Sequence, residues 1–286
     1  MIRISACAMA AALAAGAQAA QLADDRGVTV SLQHPAERIV ALAPHLAEIT
    51  FAAGAGARLV GVSSFSRHPA EAERLPVVAS SGRVDVERVI ALKPDVVLGW
   101  RSGNSPLQIA HLERLGFSVF VTEVRSVRDI ARLTREVGAL AGTGPPADER
   151  ARTLDLEVAA LSARHARVRP VAVFLEIWHR PMLTVSGEHL ISDAIGICGG
   201  RNVFADAKTL TPHVSNEQLL GARPEAIITG GYGSQTMAAA WRGLEPVPAV
   251  RKGRVYVIDP DLLSAQGPRF LEGLRVLCTR LEAARR

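Results

Sequence analysis

The sequence predicts an α/β protein of two similar lobes joined by one long helix, and three observations carry that prediction. Short runs rich in Val, Ile and Leu alternate with amphipathic helical stretches through most of the chain, the pattern of parallel sheets covered on both faces. One segment occurs twice: Glu87-Arg-Val-Ile-Ala-Leu-Lys-Pro-Asp-Val-Val-Leu-Gly99 returns as Glu217-Gln-Leu-Leu-Gly-Ala-Arg-Pro-Glu-Ala-Ile-Ile-Thr229. Both run from a glutamate through a short apolar helix to a basic residue, a proline, an acid and a buried strand. Two copies are too few for a solenoid, so they mark two lobes. Residues 145–169, almost midway between the copies, read as a single helix. Pro145 and Pro146 suit a first turn whose N–H groups lack partners. Asp148 and Glu149 sit at the positive end of the dipole, and Arg164, His165 and Arg167 at the negative end. Ala147, Ala151, Leu154, Val158 and Leu161 form one apolar stripe, and Pro170 stops the helix. At 1.5 Å per residue it would reach roughly 37 Å, about the width of a small domain.

The elements follow in order. Residues 1–19 read as a secretory leader: Arg3, an apolar run from Ile4 to Gly16, and a small-x-small pattern at Ala17-Gln18-Ala19. Its apolar core is too short to span a bilayer, and no later segment runs 18 apolar residues, so membrane insertion is not expected. Gln21 to Glu37 is polar and predicts a short strand or hairpin. The first lobe, 37–144, then predicts strand 38–42, helix 44–55, strand 58–62, helix 86–92, strand 95–100, helix 108–115, strand 118–122 and helix 127–140. The second lobe, 170–286, predicts strand 171–176, helix 189–198, helix 217–220, strands 225–229 and 254–258, and a final helix 269–284.

Composition excludes several functions. The chain has 286 residues and a formal charge of +5, or +4 without Arg3, but the basic residues are scattered and no aromatics are interleaved with them. A nucleic-acid role therefore has little support. Gly54-Ala-Gly56 follows a helix and precedes a strand, the reverse of the order that aims a helix N-terminus at phosphate. Gly230-Gly-Tyr-Gly233 follows a strand but lacks the lysine of a P-loop. The eight histidines form no i,i+4 pair and no H-E-x-x-H, and the serines no G-x-S-x-G elbow, so neither a metal centre nor an active site is expected. His45, just after Ala43-Pro44 at a strand's carboxyl end, and His213, in a similar loop, are the histidines placed where α/β sheets bind ligands. Cys198 and Cys278 are left in the exported chain, and an even count outside the cytoplasm predicts a disulfide, with two buried thiols as the alternative.

Aromatic residues are only 4% of the chain, so their positions are informative. Phe65, Trp100, Trp178 and Tyr232 all fall at carboxyl ends of predicted strands, two in each lobe. Such ends can face each other across a cleft, and aromatic walls there suit a large, flat, partly apolar ligand.

Val62-Ser-Ser-Phe-Ser66, the stretch from Val86 through Gly99-Trp-Arg-Ser-Gly-Asn104, and Cys198-Gly-Gly-Arg-Asn-Val-Phe204 carry a likeness to a known family. The chain resembles the periplasmic cobalamin-binding proteins of ABC importers, within the helical-backbone receptors that also take haem and iron–siderophores. The likeness runs from about Arg38 to Leu281. It implies two Rossmann-like lobes on one backbone helix, the class III periplasmic binding arrangement, with a corrinoid bound between them as transported ligand rather than cofactor. By the same resemblance Phe65 stands where cobalamin binders place a tyrosine, Trp100 matches a cleft tryptophan, and Asp261 matches a cleft aspartate. Two further family tryptophans fall near Ser81 and Thr211, and Trp178 replaces a phenylalanine. Cys198 and Cys278 match the family's disulfide. Glu87 and Glu217 match glutamates that meet arginines on the two permease subunits; local chemistry alone would make them helix-terminal acids. The expected protein is a periplasmic, monomeric, non-enzymatic carrier. The alternatives are a haem or siderophore carrier using His45 or Tyr232, and a secreted α/β enzyme.

Overall fold

The computed structural model describes residues 20–80, 82–230, 241 and 243–286. The leader expected at 1–19, Ser81 and Tyr232 lie outside the described residues. The chain opens with a hairpin, β1 (Ala20–Ala23) paired antiparallel with β2 (Thr29–Leu32). It is tied to the first lobe, because Asp25 N–H donates to the carbonyl of Val121 and Arg132 reaches the Asp25 carboxylate at 3.1 Å.

The first lobe is built on β3 (Ile39–Ala41), β4 (Leu59–Ser63), β5 (Val77–Ser80), β6 (Arg83–Val84), β7 (Val96–Trp100) and β8 (Val119–Thr122). Helices α1 (Pro44–Ala52), α2 (Val86–Leu92), α3 (Pro106–Arg114) and α4 (Val127–Leu140) connect them. The strand order is β6-β5-β4-β3-β7-β8, parallel except at the β6 edge. The second lobe orders β10 (Gly200–Asn202), β9 (Val171–Glu176), β11 (Ala226–Thr229) and β12 (Val255–Val257) in one parallel sheet. Around it lie α6 (Leu190–Ile197), α7 (Asn216–Ala222), two short helices α8 (Pro248–Arg251) and α9 (Pro260–Leu263), and the last helix α10 (Phe270–Arg285).

The linking helix α5 spans Gly144–His165 and buries Ala147, Ala151, Leu154 and Val158, most of the stripe read from the sequence. It ends four residues before the expected bound. His165 is tied there by its ring to the Leu161 carbonyl at 2.7 Å and to Glu282 of α10 at 3.0 Å, and residues 166–168 turn into β9. One apolar cluster runs from Ile39 and Leu46 in the first lobe through α4 and α5 to Val173, Leu274 and Leu281 in the second. A shared, close-packed core resists relative motion better than a tether would.

The repeated segment is repeated in three dimensions. Asp85 caps α2 by accepting from Arg88 N–H at 3.0 Å, and Ser215 caps α7 by accepting from Gln218 N–H at 3.2 Å. Lys93 and Arg223 end the two helices in the left-handed region, at φ 46° and 47°. The prolines that follow bar further helix, and the next acid clamps the start of a neighbouring strand. Asp95 accepts the backbone N–H groups of Glu37 and Arg38, each at 2.8 Å. Glu225 accepts from Ala172 N–H at 3.1 Å, and both of its oxygens accept from Arg169 Nη1 at 2.9 Å. The basic-proline-acid signature is thus the joint that sets each helix against its sheet.

The Cys198–Cys278 disulfide is present and joins the end of α6 to the middle of α10. Gly199 follows at φ +68°, a conformation that disfavours any side chain, so the chain can turn from the cystine into the edge strand β10.

Candidate functional site

In each sheet the first strand has neighbours built on both sides of it, so the order of connection reverses there. In the first lobe the reversal lies between β3 and β7, and in the second between β9 and β11. Ligands bind α/β sheets outside the carboxyl ends at such points. At the ends of those strands stand Leu42-Ala43-Pro44, Trp100, Ile177-Trp178 and Gly230. They line three adjoining hollows.

The central hollow, about 240 Å³, is walled by both lobes. Pro44, His45, Glu48, Phe65, Arg67 and Trp100 come from one side, and Asp261, Ser264, Gln266 and Arg269 from the other. A second hollow of about 190 Å³ lies against the second lobe, under Trp178, Glu176 and Leu263. A third, of about 170 Å³, lies against the first lobe and shares Pro44, Phe65 and Trp100 with the central one. Together they form a cleft between the lobes, with an aromatic residue on each wall.

Trp100 is fixed from several directions. Its backbone N–H donates to Asn104 Oδ1 at 2.7 Å, and Asn104 Nδ2 in turn donates to the Leu42 carbonyl at 3.1 Å, bridging β7 to β3. The His45 ring meets the indole edge-on at 5.3 Å between centroids. Phe65 is 70% exposed and sits at φ 66°, a backbone region that a bulky side chain occupies only under constraint. The Arg67 guanidinium lies 5.7 Å from its ring centroid. An exposed, strained aromatic at a cleft is the signature of a contact residue rather than of packing.

Across the cleft, Trp178 is half exposed, and its indole N–H donates to the Arg180 carbonyl at 2.9 Å. Beneath it Glu176, fully buried, accepts from Trp241 Nε1 at 3.1 Å and meets His179 Nδ1 at 2.6 Å. Asp261 lies in the first turn of α9, its backbone N–H donating to the Asp259 cap at 2.9 Å.

The central hollow is also where polar atoms stand unpaired. His45 Nε2, Glu48 Oε2, Trp100 Nε1 and Gln266 Oε1 are buried with no hydrogen-bond partner, four of the seven such atoms among the described residues. Buried polar groups in native proteins are nearly always paired, so this concentration points to a ligand that completes them. Burial lowers the His45 pKa to about 3, so the ring is neutral. Burial also raises Glu48 to about 7, against the opposing pull of Arg269, with nearby Glu272 adding to the rise.

The structure therefore brings Phe65, Trp100, His45, Asp261 and Trp178 to one cleft. Thr211 lines none of the three hollows: it is exposed in a loop whose flanking carbonyls, Leu210 and Pro212, pair with the strap at residues 184–186. His213 is likewise exposed and bridges to Leu183 in that strap. Glu87 and Glu217 lie outside the cleft, exposed in the first turns of α2 and α7. Sequence reasoning missed Glu48, Gln266 and Arg67. Glu48 lies three residues after His45 on α1 but becomes a cleft residue only through the second lobe's approach, and Gln266 and Arg67 lie in loops without a periodic pattern.

The profile described as periplasmic binding protein matches residues 39–262. The chain belongs to the periplasmic binding protein family. It is 32% identical over 254 residues to the vitamin B12-binding protein of Vibrio cholerae serotype O1, covering 88% of this chain and 91% of that one. It is 34% identical over 248 residues to the vitamin B12-binding protein of Yersinia pestis, covering 86% of each. Among solved structures, the periplasmic vitamin B12 binding protein BtuF of Vibrio cholerae superposes with a TM-score of 0.83 at 32% identity, over 88% of this chain and 99% of that one. The apo periplasmic haem-binding protein RhuT of Roseiflexus sp. RS-1 superposes with a TM-score of 0.75 at 25% identity, over 87% and 99%. The fold is that of the class III periplasmic binding proteins, with two α/β lobes on one helix.

Proposed function

We propose that this protein is an exported carrier that captures cobalamin in the cleft between its lobes and hands it to an inner-membrane ABC importer. The observation that carries this reading is the inter-lobe cleft, with Phe65 and Trp100 on one wall, Trp178 on the other and four unpaired polar atoms buried in the central hollow. Flat aromatic walls suit the face of a corrin ring, and the unpaired polar atoms suit its amide fringe. Relatives named for vitamin B12 at 32–34% identity support the choice of ligand. A carrier requires a concave site and a docking surface, and no catalytic group. Ser81 and Thr211 are proposed as ligand contacts by resemblance, and Tyr232 by its place in sequence after the strand that ends at Thr229.

Titration of the purified protein with cyanocobalamin, haemin and a ferric siderophore tests the reading. Retention of one cyanocobalamin per chain, and neither of the others, is the expected result; stoichiometric retention of haemin with no cyanocobalamin would assign another cargo.

Within the site, Trp100→Ala is expected to weaken cyanocobalamin binding about 30-fold, equivalent to about 2 kcal/mol for a buried aromatic anchor. Circular dichroism of the variant should match wild type. An unchanged dissociation constant in the folded variant would remove Trp100 from the site.

Glu87 and Glu217 are proposed to orient the carrier on its importer. Neither has an ion-pair partner among the described residues. Glu217 is held below the usual carboxylate range by the Ser215 hydroxyl, so it stays ionised. Glu87→Ala with Glu217→Ala is expected to leave cyanocobalamin affinity unchanged but abolish uptake by the reconstituted importer, each single change doing less. Full uptake by the double variant would reduce both residues to helix-terminal acids.

A further inference from the structure

The loop after β4 presents two side chains to the central hollow, an aromatic one and a cationic one. Ser63 and Ser66, both buried, face each other at 3.2 Å between hydroxyl oxygens, and Ser64 N–H donates to the Ala79 carbonyl at 2.7 Å. Arg67 N–H then donates back to the Phe65 carbonyl at 2.9 Å, closing a tight turn that leaves the Phe65 ring exposed. The same turn sets the Arg67 guanidinium 5.7 Å from the Phe65 ring centroid, within the range of a cation–π contact. That contact orients the guanidinium without occupying its N–H groups. Arg67 is exposed and, among the described residues, its side chain makes no hydrogen bond or ion pair. Phe65 and Arg67 line both the central hollow and an open groove beside it, along residues 62–77. The guanidinium therefore stands on the ridge between the two, next to the aromatic surface offered to the cargo.

The charge of the hollow points the same way. Its walls carry two guanidinium groups, Arg67 and Arg269, and two carboxyl groups, Glu48 and Asp261. Burial, against the pull of Arg269, raises the Glu48 pKa to about 7, so below neutrality that carboxyl holds a proton. Arg269 lies 4.0 Å from it, at the outer limit of an ion pair. His45 is neutral, and His68 adds no negative charge in either protonation state. Two fixed cations thus face one carboxylate, and a partly enclosed site screens such an imbalance less than water does. A cargo that fits the hollow should bring an anion.

We propose that Arg67 recognises a phosphate carried at the edge of the corrin ring, so that the cleft selects complete corrinoids over those without a nucleotide loop. The inference rests on the carrier reading and deepens it. A corrinoid's peripheral amides are neutral, and the phosphodiester of its nucleotide loop is its one peripheral charge. That loop hangs from an edge of the ring, so a cation beside an aromatic wall suits it. A guanidinium fork matches two phosphate oxygens, and its weak hydration lowers the cost of exchanging water for them. Haem propionates would offer an anion at a similar edge, so haemin belongs in the test.

Dissociation constants are to be measured for wild type and Arg67→Gln with three corrinoids. These are cyanocobalamin, cobinamide phosphate, which keeps the phosphate but lacks the ribose and base, and dicyanocobinamide, which lacks all three. Wild type is expected to prefer both phosphate-bearing probes to dicyanocobinamide by at least about tenfold, the effect of one charge-assisted contact. Arg67→Gln should lose about tenfold for those two and no more than about twofold for dicyanocobinamide, so the preference collapses. Phe65→Leu should weaken all three alike, because it trims the wall and leaves the charge. An equal loss for all three in Arg67→Gln would overturn the proposal, leaving Arg67 as a prop for Phe65 or a donor to the amides. A loss confined to cyanocobalamin would also overturn it, placing the base rather than the phosphate at Arg67, as would a wild type that holds all three equally. Retention of haemin and none of the corrinoids would instead defeat the cobalamin reading, and the inference with it.

Discussion

Replacing Cys198 and Cys278 together by alanine is expected to lower the unfolding free energy of the second lobe by about 4–5 kcal/mol. The two residues are 80 apart in sequence, and the chain-entropy cost of leaving a loop of that length open gives about 4.5 kcal/mol at 25 °C. Little of this is recovered by repacking, because both sulfurs are buried and the polypeptide around them is already committed. Gly199 takes the left-handed conformation that turns the chain into β10, and Arg285 Nη2 donates to the Cys198 and Gly199 carbonyls at 2.6 and 2.9 Å. The Arg285 contacts persist in the variant and hold α10 near α6, so the lobe should still fold at low temperature with a lower midpoint. Denaturant titration of the oxidised wild type and the double alanine variant, followed by far-ultraviolet circular dichroism, measures the difference. A loss under about 1 kcal/mol would mean that the unfolded lobe stays compact without the bridge, so that closing the loop costs little entropy. Cyanocobalamin affinity below the midpoint should be unaffected, since the cystine is remote from the residues that line the cleft.

How much of this was legible beforehand follows from which interactions are local. Val127–Leu140 and Val171–Glu176 have the bounds expected from their patterns, because apolar periodicity and capping act within a turn or two of chain. The capping box of Ser126 with Asp129 is one such signal. The strands β5, β6 and β10 and the short helices α8 and α9 were not expected. Gly200-Arg-Asn202 has no strand propensity, and it becomes a strand only because β9 offers an unpaired edge. Of the site, the aromatic residues could be read because they are rare and fall at strand ends. Glu48 could not be read as a cleft residue, because its character is set by Gly267 and Arg269, more than 200 residues away. The approach of the two lobes puts Gly267 so close to the Glu48 carboxyl that a Cβ there would lie 2.8 Å from Oε2. That contact depends on the fold as a whole, and no local pattern encodes it.

Glu48→Gln is expected to stabilise the protein at pH 8 by about 3 kcal/mol while leaving it nearly unchanged at pH 4. Glu48 lies where α1 meets the loop before α10, with one carboxyl oxygen 4.0 Å from Arg269 Nη1 and the other unpaired. Burial is the main cause that raises its pKa from 4.5 to about 7; Arg269 opposes the rise and Glu272 adds to it. Between those two values the folded protein holds a proton that the unfolded chain has released. Stability from this group is therefore fully present below pH 4.5 and is lost as pH rises through 7. The span of about 2.5 pH units corresponds to about 3 kcal/mol. Glutamine copies the protonated acid in shape and hydrogen-bonding capacity, so it should match wild type where Glu48 is neutral and exceed it where Glu48 is charged. Buried histidines work in the opposite sense. His45 and His189, lowered by burial to about 3 and about 4, stay neutral in the fold, and their contribution is lost as pH falls below 6.5. The raw stability curve mixes the two slopes, and the difference between wild type and Glu48→Gln isolates the carboxyl. Denaturant midpoints of both proteins at pH 4 and pH 8 supply that difference. An equal gap at both values would mean that Glu48 is ionised throughout, held by Arg269 as an ordinary inter-lobe ion pair. A gap that opens as pH rises from 4.5 to 7 makes the contact between the lobes, at the floor of the cleft, a proton-bearing one.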